Sequence, residues 1–327
     1  MRRRALLAGG IGASFVASLG LGALIGRLGG AGSAPAPATV ALPTRTAAVS
    51  RPPPARLMEE EPLPGDIYVP KASARVPPPL PRASQAEPPW LANAEPLAPA
   101  SGVPVVAIVI DDLGLDRPRT ERAVAFPGGV TLAFMTYAEN LARWAAAARA
   151  ARHELLVHVP MQPLSPTIDP GPNALTMALS EPEIRQRLRW DLGRFEGYVG
   201  ANNHMGSRFT ESAAGMSVVM DELKARGLLF LDSRTTGASA CAPLAAAREL
   251  PFAARNIFLD NEPTVPAVTR QIVALEDVAR RHGSAIGIGH PHDGTLAALA
   301  DWLPTAETRG VRLVPLTSVM RHAILRS

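Results

Sequence analysis

The stretch VPVVAIVIDDLGLD, residues 103–116, decides how this chain is read. Six β-branched residues lie between Val103 and Ile110, interrupted only by Pro104 and Ala107, and they run directly into two adjacent carboxylates, Asp111 and Asp112. A run of this kind is a buried strand. Side chains alternate along a strand, so Asp111 and Asp112 are expected to point in different directions. One can then bind a metal while the other faces a reacting water as a base. The structural alternative is that the pair caps the next helix or pairs with Arg117 and Arg119.

The same pattern recurs downstream. Short β-rich runs fall at 105–110, 130–137, 153–160, 198–204, 228–233, 256–261, 285–290 and 311–317. Helical stretches separate most of them. Residues 139–152 are Ala-rich, residues 180–195 open with a Ser180 and Glu183 capping-box pattern, and residues 270–283 end in basic residues and a glycine. Strand and helix in alternation predict a parallel sheet covered by helices. About eight repeats over about 220 residues favour an α/β fold of the (β/α) barrel type, distorted or incomplete, over an open doubly wound sheet. No Gly-x-Gly-x-x-Gly turn follows the first strand, which argues against a nucleotide fold.

Upstream the composition changes. About half of the chain's 33 prolines lie between Ala34 and Ala98, in a segment nearly devoid of aromatic residues. Such a segment buries too little apolar surface to offset its ordering entropy and reads as a spacer; 67–70 and 88–90 are its only candidate docking points, and such residues more often sit in solvated linker. In extended polyproline form its roughly 65 residues would reach on the order of 200 Å. Residues 5–26 carry no charge and follow Arg2, Arg3 and Arg4, the pattern of a membrane anchor or a secretory signal. The expected organisation is an anchor or signal over 1–30, a linker over 31–102 and a folded domain over 103–327. The domain is then expected on the far side of a membrane, anchored or secreted, which in a bacterial envelope is the periplasmic side of the inner membrane. The whole formal excess of +4 lies upstream of Val103, so the basic balance is no nucleic-acid footprint. A lone cysteine, Cys241, allows no intramolecular disulfide.

In barrels of this type the site lies at the C-terminal ends of the strands. Here strand after strand ends in a residue able to bind metal or move a proton: Asp111 and Asp112, His158, His204, Asp232 with Arg234, Asp260, then His290 and His292. Asp112 with His158 and His204 makes a mixed oxygen and nitrogen set with an open position, suited to a catalytic zinc. Arg234 is a candidate to keep Asp111 ionised or to bind an anionic part of a substrate, and RTT after a strand reads equally as a salt-bridged turn. Asp232 is a candidate partner for a histidine, and Asp260 a candidate helix cap. His153 and Glu154 read as strand-entry residues rather than half of a zinc-protease motif, whose histidines are spaced i and i+4 on a helix.

In order, VAIVIDDLG, HELLVHVPMQP, NNHMGSRFT, LLFLDSRTT and AIGIGHPH resemble the divergent polysaccharide deacetylase family, remote relatives of the NodB-type carbohydrate deacetylases. The resemblance covers roughly Pro104 to Val319. It implies a distorted (β/α) barrel, a divalent metal, most often zinc, and an N-acetylated envelope polysaccharide as substrate. It also implies Asp111 as base, Asp112 as metal ligand and His290 as the acid that protonates the leaving amine. The sequence departs from the NodB pattern in HVPMQP, which lacks the second histidine of His-Ser-x-x-His, so His204 is the preferred third ligand. NHMGSRF stands where an Arg-x-Pro-x-Gly block is usual, which brings in Ser207 and Arg208. The expected activity is metal-dependent removal of N-acetyl groups. The alternatives are a non-catalytic barrel that binds a glycan or a protein, and a metal-free glycosidase using Asp111 and a second carboxylate.

Overall fold

The long apolar run of the first strand is satisfied by neighbours on both sides. The structure, a computed structural model, describes residues 87–96 and 102–324. The expected anchor and most of the linker lie outside the described residues. In chain order the elements are α1 (Pro89–Ala92), β1 (Val105–Leu113), α2 (Arg117–Val124), β2 (Thr131–Met135), α3 (Leu141–Ala150), β3 (Glu154–Met161), α4 (Glu181–Leu192), β4 (Gly200–Met205), α5 (Ala213–Ala225), β5 (Leu229–Asp232), α6 (Cys241–Ala247), β6 (Phe252–Ala254), β7 (Ile257–Phe258), α7 (Val265–His282), β8 (Ser284–Gly289), α8 (Asp293–Trp302), β9 (Arg312–Leu313) and α9 (Leu316–Ile324).

All nine strands join one sheet in the order β6-β5-β4-β3-β2-β1-β8-β7, with β9 added beside the start of β1, and every pairing is parallel. The two ends of that order are consecutive in sequence. Phe252–Ala254 pairs with β5, and Ile257–Phe258 pairs with β8. Arg255 N–H still donates to Asp232 O, and Asn256 N–H already donates to Ile286 O. A single extended segment thus changes partners midway and closes the sheet into an irregular (β/α) barrel.

Period-two alternation sorts the strand residues. Val106, Ile108 and Ile110 pack outward under the helices, with Leu155, Val157, Phe230, Leu259 and Leu275 in the same core. Val105, Ala107 and Val109 face inward with Leu156, Leu231, Ile286 and Ile288. Inside, α9 plugs the N-terminal end of the barrel with Leu316, Val319 and Met320. The same parity puts Asp111, His158, Asn202, His204, Ser233 and His290 inside, at the opposite end.

The helix signals are seen in the caps. Ser180 N–H and Oγ–H both donate to Glu183, and Gly283 ends α7 in the left-handed region at φ +84°. The segment 88–90 does dock: Trp90 packs against the inner core and its N–H donates to Gly227 O. Farther on, Glu95 pairs with Arg149 at 3.1 Å. His153 is fully buried, its ring nitrogens 3.1 Å from Val130 O and Val124 O. Glu154, also fully buried, accepts from the Glu95 and Thr317 main chains and from the Thr317 hydroxyl. Both residues tie the barrel floor together, as strand-entry residues would. Among the described residues no helix is long and apolar enough to cross a membrane.

Candidate active site

The parity rule sends Asp111 inward and would send Asp112 outward. The backbone overrides it. The pairing of β1 with β2 shifts register between Ile110 and Leu113, and Asp112 sits at φ +57°, in the left-handed region that aspartate tolerates better than most residues. The irregularity turns both carboxylates toward one imidazole. His158 Nε2 lies 3.0 Å from Asp112 Oδ1 and 3.7 Å from Asp111 Oδ2. The expectation that the two acids diverge is therefore corrected, and the cause is one strained residue. Nor do Asp111 and Asp112 serve as caps or arginine partners: Asp116 caps α2, Arg117 pairs with Glu121, and Arg119 with Asp116 and Asp293.

His204, from the end of β4, brings Nδ1 to 2.8 Å from Asp112 Oδ1. Asp112, His158 and His204 each offer a ligand atom, all within 4.8 Å of one another. One carboxylate oxygen and two imidazole nitrogens, largely shielded from solvent, are a donor set that fits a divalent ion of the zinc class.

Asn202 fixes the chemistry of this group. Its Nδ2 donates to Asp111 Oδ1 at 2.8 Å and to Ser233 Oγ at 3.2 Å, while its Oδ1 lies 2.8 Å from His158 Nδ1. An ionised carboxylate only accepts, which sets the amide orientation, and the amide oxygen then requires the proton on His158 Nδ1. In the neutral ring the lone pair of His158 is then on Nε2, the nitrogen that faces Asp112. Burial raises the Asp111 carboxyl, against the pull of His158 and His290. Burial works against a charged His158, but the facing Asp111 and Asp112 carboxylates outweigh it and raise the ring's pKa.

On the other flank, Asp260 Oδ1 lies 3.0 Å from His290 Nδ1, and its Oδ2 accepts from His290 N–H at 2.6 Å and Thr295 Oγ–H at 2.8 Å. Asp260 is thus not a helix cap but the histidine partner that Asp232 was expected to be. These bonds, with His290 the largest favourable influence, hold its carboxyl below the usual range although burial opposes them. His292 joins this pair, and the group Asp260, His290 and His292 also meets a 4.8 Å ligand spacing. Asp260 already accepts from three donors, which suits a residue that orients a histidine better than one that ligates.

Four expected site residues stand elsewhere. Asp232 has outward parity, and its oxygens accept from Arg234 N–H and Ser239 Oγ–H. Arg234 is exposed and makes no hydrogen bond to Asp111; the guanidinium whose charge reaches Asp111 is that of Arg255. Ser207 Oγ accepts from Leu164 N–H and holds the loop after β3, and Arg208 is exposed with its main chain on Gln162 O. Sequence reading missed Asn202 and Arg255. Asn202 shares inward parity with His204 two residues on, which was signal enough; Arg255 lies between two partial strands and carried none.

A sequence profile described as divergent polysaccharide deacetylase matches residues 108–320. Over 195 residues, 59% of this chain, the sequence is 37% identical to the uncharacterized protein YibQ of Escherichia coli K12 and 35% identical to an uncharacterized protein of Haemophilus influenzae. The match spans 60% of the first protein's length and 69% of the second's. Among solved structures, the uncharacterized protein ATU2773 of Agrobacterium tumefaciens C58 superposes with a TM-score of 0.70 at 32% identity, covering 72% of this chain and 96% of that one.

Proposed function

The chain belongs to the divergent polysaccharide deacetylase family, and from that membership we propose that it hydrolyses N-acetyl groups on an envelope carbohydrate with the help of a divalent metal. The observation that carries the proposal is the convergence of Asp112, His158 and His204 beside Asp111, with Asn202 bonded to both the acid and a ligand histidine.

A divalent ion held by those three residues, zinc being the one the donor set suits, would supply Lewis-acid polarisation and lower the pKa of water. Asp111 is the base that takes a proton from the water attacking the acetyl carbonyl. Its raised pKa suits a group that must accept and later release that proton. His290 gives a proton to the sugar nitrogen as the C–N bond breaks, leaving acetate and a free amine. Asp260 fixes the His290 ring for that transfer. We also propose that the domain acts outside the cytoplasm, carried by residues 5–26 and the proline-rich spacer.

The test is acetate release from N-acetylated chito-oligosaccharide and from peptidoglycan by the zinc-loaded full chain. Release that is lost in Asp111→Asn and His290→Ala supports the reading. Glycan binding with no release by the wild type would favour a binding protein built on the same barrel.

A further inference from the structure

Beside the base, β5 and the partner-switching segment between β6 and β7 enclose a depression of about 260 Å³, lined by Arg234, Thr235, Thr236, Gly237, Arg255 and Asn256. We propose that this depression is an anion subsite, which takes a carboxylate or phosphate carried by the glycan whose acetyl group is removed. The inference rests on the deacetylase reading for the nature of the substrate, but not for the presence of the anion.

Two arginines line the depression, and among the described residues neither guanidinium makes an ion pair with a carboxylate. Among the described residues neither Arg234 nor Arg255 has a carboxylate oxygen within 4.0 Å, whereas Arg226 and Arg309 sit on Glu222 and Glu276. Arg255 is anchored rather than neutralised: Nε donates to Ser233 O at 2.6 Å, Nη2 donates to Arg234 O at 2.8 Å, and the guanidinium lies 4.8 Å from the Phe258 ring centroid. The carboxylates whose field reaches it are held by other donors, Asp111 by Asn202, Asp232 by Ser239 and Asp260 by Thr295. Burial, reinforced by the Arg234 charge, works against the Arg255 cation, and a bound anion would relieve both.

The surroundings leave recognition to the arginines. The Thr235 and Thr236 hydroxyls donate to Met205 O and Glu211, away from the depression. Guanidinium forks bind carboxylate and phosphate oxygens in bidentate fashion, which orients as well as attracts. The subsite is also coupled to the reacting centre. Arg255 bonds Ser233 O, Ser233 Oγ meets Asn202, and Asn202 bonds Asp111. An anionic substituent seated here would register the sugar against the base.

The experiment is calorimetric titration of the full chain and of Arg234→Gln with N-acetylglucosamine, N-acetylmuramic acid, N-acetylglucosamine 6-phosphate and inorganic phosphate. The exposed Arg234 side chain can be exchanged without touching the core. The wild type should bind one of the acidic sugars about tenfold more tightly than the neutral one, and the acid preferred, carboxylate or phosphate, identifies the source. In Arg234→Gln that preference should vanish. Equal binding of neutral and acidic sugars, or a preference that survives in Arg234→Gln, overturns the subsite. Loss of all sugar binding with Arg234-dependent phosphate binding retained would keep the subsite and sink the carbohydrate reading, and no binding of any probe would sink both.

Discussion

Asn202 accepts the Nδ1 proton of His158 at 2.8 Å, and this one bond leaves the ring's lone pair facing Asp112. Because the same amide donates to Asp111, one uncharged side chain sets both the tautomer of the proposed ligand and the position of the proposed base. Asn202→Leu should therefore fold, its site being fully buried and leucine similar in bulk, yet bind zinc about 10–100-fold more weakly. Competition with a chromophoric chelator measures this. Unchanged affinity would show that Asn202 does not position the ligand.

Asp112 combines its proposed ligand role with a left-handed backbone at φ +57°. Asparagine tolerates that conformation and a β-branched residue does not. In chelator-treated protein Asp112→Asn should unfold close to wild type, and Asp112→Val should be less stable than Asp112→Asn by about 1–3 kcal/mol. Urea unfolding of the two variants decides it, and equal midpoints would remove the strain argument.

Asp260→Asn takes the carboxylate from His290 and leaves the proposed metal ligands in place. Acetate release should fall by about a hundredfold or more, with metal content unchanged. If metal is lost with activity, Asp260 belongs to a ligand set instead.

On the barrel floor, burial pushes the Glu154 carboxyl up to about 7, against the hydrogen bonds from Thr317 and Glu95. The folded protein keeps a proton that the unfolded chain releases near the ordinary value of 4.5. Stability therefore falls as pH rises between those two values and levels off above the higher one. Asp191, raised to about 8 chiefly by burial, acts in the same direction. Glu154→Gln removes the Glu154 share, so the loss of stability between about pH 5 and about pH 8 should shrink by on the order of 1–3 kcal/mol. Parallel stability profiles for the two proteins would contradict this.

The barrel was legible because β1, β3 and β8 are continuous apolar runs whose ends carry the chemistry. Parity also predicts most of the site: Asp111, His158, His204 and His290 share the inward face of their strands. The same rule would have rejected Asp232, which follows the inward Leu231. Asp112 escaped it because φ is a local backbone property that no side-chain pattern announces. The link between Asp260 and His290 joins residues 30 apart, set by the pairing of β7 with β8. Arg255 was invisible because a strand that changes partners leaves only short fragments, too brief for a periodicity.

The measurement that bears most directly on the account is the metal content of the full chain after reconstitution with zinc and gel filtration, beside Asp112→Ala, His158→Ala and Asp260→Ala. About one zinc per chain is expected in the wild type and in Asp260→Ala, and none in the other two. No retained zinc in the wild type, or zinc that survives in Asp112→Ala and His158→Ala, would contradict it.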